Sequence, residues 1–238
     1  MRPQDVPALP ANDKRDYVRG MFDALAPRYD RMNLVISLGQ TTWWRKRALR
    51  GLGLQAGQRV LDIGTGTGWV VTYLKGKVPG LVVDGSDLSP GMLVEARKLD
   101  PDSHYFEADV CELPCETGSY DMVTTVFTTR NFPTLEPGVS EMMRVLKPGG
   151  RLLVLDSFPF PEGSLWGRFQ ALWMSKIVPI LVKPFANPDS YRYLAASIQN
   201  HVSPEELSEL CKKHGATTVD VTPYTFGSAT KVLATKAQ

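Results

Sequence analysis

The chain predicts an α/β fold, a doubly wound and mostly parallel sheet with helices on both faces, and three observations predict it. Apolar runs of strand length alternate with helical patterns from about residue 58 to 156, the rhythm that lays parallel strands side by side. The first of these runs is almost continuously apolar, as in a central strand buried on both faces. A chain of 238 residues that is 43% hydrophobic can also bury one good core, and single α/β domains reach this size.

The elements follow in order. Residues 1–13 carry three prolines and little pattern, and are expected to be a loose tail. Residues 14–50 read as helices, with Met21, Phe22, Leu25, Ala26 and Tyr29 on one face; preceding the first strand, they are placed to fold over the sheet edge as a cap. Val60, Leu61 and Ile63 form a buried strand that runs into Gly64, Gly66 and Gly68. Leu81–Val83 begins the next strand, and Ser89 followed by Pro90 reads as the N-cap and first turn of a helix. Tyr105–Val110 is a short third strand and Tyr120–Phe127 a fourth. Glu141–Leu146 is an amphipathic helix closed by Pro148 and Gly149, and Arg151–Asp156 is a fifth strand. Residues 160–200 are expected to be a helical lid insertion over the substrate, and 201–238 the C-terminal helix and strands, all within a single domain from residue 14 onward.

The glycine loop indicates the ligand. Its glycines let the backbone turn sharply and lie against a bound molecule without an intervening Cβ. The dinucleotide fingerprint needs glycine at position 69, where Trp69 stands, so a pyrophosphate has no obvious cradle and a nicotinamide dehydrogenase is disfavoured. The spacing better suits a loop that touches the amino-acid part of S-adenosylmethionine (SAM). Asp87, rather than Asp84, ends the second strand just before the Ser89 cap, where a carboxylate can accept from both ribose hydroxyls. Asp109 ends the third strand, where it can accept from an adenine amino group while Val110 lies on the ring. Asp87 and Asp109 can each equally be ordinary turn acids when taken alone.

Together these elements resemble the class I SAM-dependent methyltransferases, with their Rossmann-like sheet of seven strands, and more narrowly the C-methyltransferases of ubiquinone and menaquinone biosynthesis. The narrower likeness rests on Phe22–Asn33 followed by Ser37-Leu38-Gly39 and Trp44-Arg45, on Arg130-Asn131, and on Asp189–Ile198 with His201 beyond it. It covers roughly residues 20–215. The resemblance implies a SAM site formed by Gly64, Thr65, Gly66, Thr67, Gly68, Asp87, Leu88, Met92, Asp109, Val110, Val126 and Tyr29. It also implies transfer of a methyl group to a ring carbon of a prenylated hydroquinone, with no metal. Arg130 is the expected cation beside the acceptor hydroxyl, where it favours the phenolate. Asn131 is a second donor to that oxygen, His201 a candidate general base, and Tyr29 a residue lying over the cofactor. Asp30 is expected to anchor the cap.

The chain departs from that family's pattern in three places. Trp69 replaces an acid that meets the cofactor's amino group. Phe127-Thr128-Thr129-Arg130-Asn131 replaces Phe-Gly-Leu/Ile-Arg-Asn, and the C-terminal end puts Phe226 and Thr230 where they are expected to reshape the acceptor pocket. A methyltransferase of the same fold acting at carbon or oxygen of a small aromatic or polyketide-like metabolite is therefore the alternative reading, and a non-catalytic SAM-binding protein a third.

Composition narrows the partners. Net charge is +2 with no basic run, so no nucleic-acid surface is expected. The three cysteines lack zinc-site spacing and read as reduced thiols of a cytoplasmic protein. No signal-like N-terminus and no run of 18 apolar residues occurs, so a soluble or peripheral protein is expected. Leu165–Val182 carries two Trp, one Phe and one Met, with Pro179 expected to kink it. Two readings stand for this segment: a helix packed in the core or in a homodimer interface, and a lid over a small hydrophobic aromatic substrate, touching the inner face of a membrane.

Overall fold

The computed structural model describes residues 2–160, 163–177 and 188–238. Seven strands form one sheet in the order β3-β2-β1-β4-β5-β7-β6. They are β1 (Arg59–Ile63), β2 (Val82–Asp87), β3 (Tyr105–Glu107), β4 (Tyr120–Val126), β5 (Leu146–Asp156), β6 (Ala216–Tyr224) and β7 (Ala229–Lys236). The first five run parallel, while β7 is antiparallel to both β5 and β6. The doubly wound sheet expected from the alternation is therefore present, with β1 and β4 at its centre.

Strand alternation divides the core between the two faces. Val60, Met122, Leu153 and Leu155 pack on one side, against Ala48, Val70, Leu74 and Ala96. Leu61, Val123, Leu152 and Val154 point the other way, against Val139, Met142, Met143 and Leu207. Each fully buried side chain of this kind contributes about 1.5–3 kcal/mol, so both faces are needed to hold the central strands.

The helices are α1 (Ala11–Leu25), α2 (Tyr29–Ile36), α3 (Gln40–Ala48), α4 (Trp69–Lys77), α5 (Pro90–Leu99), α6 (Leu135–Val145), α7 (Leu165–Leu172), α8 (Pro188–Gln199) and α9 (Pro204–Lys213). Ser89 caps α5 by accepting from the Met92 amide at 3.1 Å. Ser203 and Glu206 close a capping box at the start of α9. The helix expected over Glu141–Leu146 begins earlier, at Leu135, and ends where β5 starts at Leu146.

Helices α1–α3 form the cap, tied down by two carboxylates. Asp23 accepts from the Ser89 hydroxyl at 2.6 Å and the Gly91 amide at 2.8 Å. A Cβ on Gly91 would lie 3.0 Å from Asp23 Oδ1, so the missing side chain permits this approach. Asp30, on α2, accepts from the Thr67 hydroxyl at 3.1 Å and ties the cap to the glycine loop.

The N-terminal stretch corrects an expectation. Residues Pro3–Ala8, within the segment read as a loose tail, form a 3-10 turn. Val6 is fully buried and packs in a cluster with Val18 and Tyr193, which gives a proline-rich sequence an anchor that its composition did not reveal.

In the segment expected to form a lid, α7 gives way to a π-helical turn over Trp173–Ile177; Pro179 lies outside the described residues. Leu165, Phe169 and Leu172 are 80%, 50% and 53% exposed, so this face of α7 is not packed in the core. Trp166 fastens the helix to the sheet by donating its indole N–H to Ser228 Oγ at 3.0 Å. Among the described residues, no helix is long and apolar enough to cross a membrane.

Candidate active site

Two cavities open at the carboxyl edge of the central strands, under the cap. Among the described residues, Tyr29 and Phe127 alone line both. The smaller is lined by Gly64, Gly66, Asp87, Leu88, Met92, Asp109 and Val110, and so gathers eight of the residues expected to hold SAM once Tyr29 is included. Asn131 lines this same cavity, with its Oδ1 accepting from the Tyr193 hydroxyl at 2.9 Å; it sits on the cofactor side, not beside the acceptor as expected.

Asp87 reaches this wall from the end of β2. One carboxylate oxygen accepts from the Gly66 amide at 2.8 Å and the other from the Ser89 amide at 2.9 Å, which fixes the carboxylate across the loop. Burial pushes its pKa up to about 6, and nearby Asp23 adds to the rise against the pull of those amides. Asp109 is held by the Cys111 amide at 2.9 Å. A fixed carboxylate, a glycine-lined edge and apolar Met92, Leu88 and Val110 fit the ribose, the arm and the adenine of SAM.

Four expected contacts do not line the cavity. Gly68 is a packing glycine: a Cβ there would lie 2.8 Å from the Tyr105 hydroxyl and 3.1 Å from Ala96 Cβ. Thr67 turns to Asp30, and Thr65 and Val126 are buried. Phe127 takes the place foreseen for Val126. It adopts a left-handed backbone with φ 62°, at a cost of about 1–3 kcal/mol, at the junction of the two cavities. The end of an apolar strand at the ligand edge was the only signal for it in the sequence. Thr128 also lines the smaller cavity, and a Cβ on Gly64 would lie only 2.1 Å from its Cγ2.

The larger cavity, ≈ 300 Å³, is walled by Trp44, Phe127, Trp166, Trp173 and Ile198, with Arg45 and Arg130 among its polar residues. Arg130, its side chain 9% exposed, is ion-paired to Asp156, which has no solvent exposure at all. Burial opposes the charge on Asp156, but Arg130, His201 and the Thr129 hydroxyl outweigh it and hold the carboxyl below its usual range. Among the described residues, the buried Arg130 Nε has no hydrogen-bond partner.

His201 lies outside both cavities, which corrects the expectation of a base facing the acceptor. Its Nε2 is 3.1 Å from Thr129 Oγ1, and its ring stacks on Phe158 at 4.9 Å. Thr129 donates its single hydroxyl hydrogen to Asp156 at 2.6 Å, so this Nε2 must carry a proton and donate to Thr129. Burial lowers the His201 pKa, with Asp156 opposing. His201 thus stands behind Arg130, at the end of a chain through Thr129 and Asp156. Two further expectations shift: Phe226 is 81% exposed and Thr230 is buried, while Thr225 and Ser228 line the larger cavity.

Comparison with known proteins agrees with this geometry. A model of the ubiE/COQ5 methyltransferase family matches residues 10–236. A demethylmenaquinone methyltransferase of Thermus thermophilus is 38% identical over 200 residues, covering 82% of this chain and 90% of that protein. A ubiquinone/menaquinone biosynthesis C-methyltransferase of Geobacter sulfurreducens is 34% identical, covering 92% and 88%. Among solved structures, a SAM-dependent methyltransferase from Thermotoga maritima superposes with a TM-score of 0.67 at 22% identity, covering 92% of this chain and 99% of that one. The Haemonchus contortus phosphoethanolamine N-methyltransferase 2, in complex with SAM, gives 0.61 at 20% identity, covering 84% and 52%. These structural likenesses carry the fold, and the sequence likenesses carry the family. With a glycine loop, a ribose-edge carboxylate and the Arg130-Asn131 pair at the same sheet edge, the chain belongs to the ubiE/COQ5 methyltransferase family and is a SAM-dependent methyltransferase.

Proposed function

We propose that this enzyme methylates a ring carbon of a prenylated hydroquinone, demethylmenaquinol or a close relative. The observation that carries this reading is the junction at Tyr29 and Phe127, where an apolar cavity lined by Arg130 meets the cofactor cavity. Bound SAM supplies an electrophilic methyl group on a positively charged sulfur. The chain's part is to hold an electron-rich carbon in line and to exclude water, work suited to Trp44, Phe127, Trp166 and Trp173.

A ring carbon beside a hydroxyl becomes nucleophilic as that hydroxyl loses its proton. Arg130 is the residue we assign to that oxygen. Its charge is matched by Asp156, so it acts as an oriented donor more than as a bare cation. Asn131 supports the turn from the cofactor side, and Thr129 with His201 holds Asp156 in place.

The mouth of the cavity suits a prenyl tail. Leu38 and Phe169 line it while staying 64% and 50% exposed. A tail leaving by this mouth would meet a membrane surface there, with α7 lying against it. Turnover of demethylmenaquinol compared with the same ring lacking its prenyl chain tests this. We expect the prenylated acceptor to react with the higher kcat/KM, and Arg130→Lys to cut kcat about 100-fold at nearly unchanged SAM affinity. Equal turnover of both acceptors would favour the small-aromatic reading instead.

A further inference from the structure

The second arginine of the larger cavity differs from Arg130 in one respect: among the described residues it forms no salt bridge. Arg45 lies in the last turn of α3 and lines the cavity. Its guanidinium rests over the Trp69 ring, 5.4 Å from the centroid, and its Nε is buried with no hydrogen-bond partner. Asp62 is near enough to feel its charge but directs its own hydrogen bond to Thr124 at 2.6 Å. A guanidinium held within the protein by only a π face has N–H groups left for a ligand.

The position of Arg45 says which ligand group takes them. Trp69 is the first residue after the glycine loop, so Arg45 stands where that loop opens toward the larger cavity. The cavity built on Asp87, Met92 and Val110 adjoins, at Tyr29 and Phe127, the cavity that Arg45 lines. SAM carries one anionic group, the carboxylate of its amino-acid arm. A guanidinium with free N–H groups matches a carboxylate in charge and shape. Trp69 offers Arg45 a ring face and no carboxylate.

We infer that Arg45, held over Trp69, binds the carboxylate of SAM's amino-acid arm. The inference rests on SAM as the methyl donor and is independent of the acceptor.

Calorimetric binding of S-adenosylhomocysteine (SAH) and of decarboxylated SAH, the aminopropyl thioether of adenosine, tests it in wild type and Arg45→Gln. Arg45→Gln should lose about tenfold or more in affinity for SAH, the effect of one charge-assisted contact, with little change for the decarboxylated ligand. Trp69→Glu, which gives Arg45 a carboxylate of its own, should produce the same selective loss and provides the answer if Arg45→Gln does not fold. Equal weakening of both ligands, or no weakening of either, would overturn the assignment. So would a variant that binds SAH as wild type does but binds a naphthol acceptor less tightly, because Arg45 would then serve the acceptor. Loss of methyl transfer to quinols with the SAH pattern intact would count against the proposed acceptor and leave Arg45 in place.

Discussion

Arg130 and Asp156 form a buried ion pair that joins the turn after β4 to the end of β5, and only the Arg130 side of the pair reaches the acceptor cavity. Removing Asp156 strands a guanidinium in a nearly closed site. We expect Asp156→Ala to lower unfolding free energy by about 3–5 kcal/mol, the usual effect of breaking a buried pair from one side. Denaturant melts of the wild type and the variant measure it, and a loss well under 1 kcal/mol would show that water reaches the pair.

Asp87 spans the glycine loop and the start of α5, with both oxygens fixed by backbone amides. Asp87→Ala should weaken SAM binding by about tenfold to 100-fold, since hydrogen bonds to a charged group are worth about 1.5–3 kcal/mol. Titration calorimetry reads this, and an unchanged Kd would remove the ribose role.

The raised pKa of Asp87, about 6, gives SAM binding a pH dependence of known sign. In the ligand-free protein burial favours the protonated acid, so as pH falls toward the unfolded-state value this group adds stability to the apo fold. The ligand asks for the opposite, because two ribose hydroxyls donate to a carboxylate. SAM affinity should therefore drop below pH 6, and binding at pH 6 should release protons, whereas binding at pH 8 should not. Calorimetry in two buffers of different ionisation enthalpy distinguishes the two.

The glycines at 64 and 66 both have positive φ, but only one is crowded. A Cβ at Gly64 would strike Thr128 at 2.1 Å, while at Gly66 the nearest atom is Tyr29 Cε1 at 3.8 Å. Gly64→Ala should cost more stability than Gly66→Ala, which suffers only the backbone penalty of about 1–2 kcal/mol. Thr128→Gly should recover part of the Gly64→Ala loss, as thermal melts of the double variant would show.

Much of this was legible in the residues because strand periodicity and turn chemistry are local. The run Val60–Ile63 into Gly64, and Ser89-Pro90 after Asp87, located β1, β2 and the cofactor edge without any tertiary information. What escaped depends on contacts distant in sequence. Gly68 looks like a ligand glycine until Tyr105 and Ala96 are seen against it. His201 looks like a free base until Thr129, 72 residues away, is found to require its proton. Asp156 was read only as the end of a strand, and its pairing with Arg130 follows from the order of β4 and β5 in the sheet. Val6 is buried through α1 and Tyr193, partners that a proline-rich composition does not announce.

The most direct test of the account is the fate of the methyl group. With SAM carrying a carbon-13 methyl and demethylmenaquinol as acceptor, we expect the label on a ring carbon of the quinol, read from its NMR shift, and much less transfer to a panel of short-chain phenols. Label found on a hydroxyl oxygen, or confined to the small phenols, would contradict ring methylation of a prenylated hydroquinone.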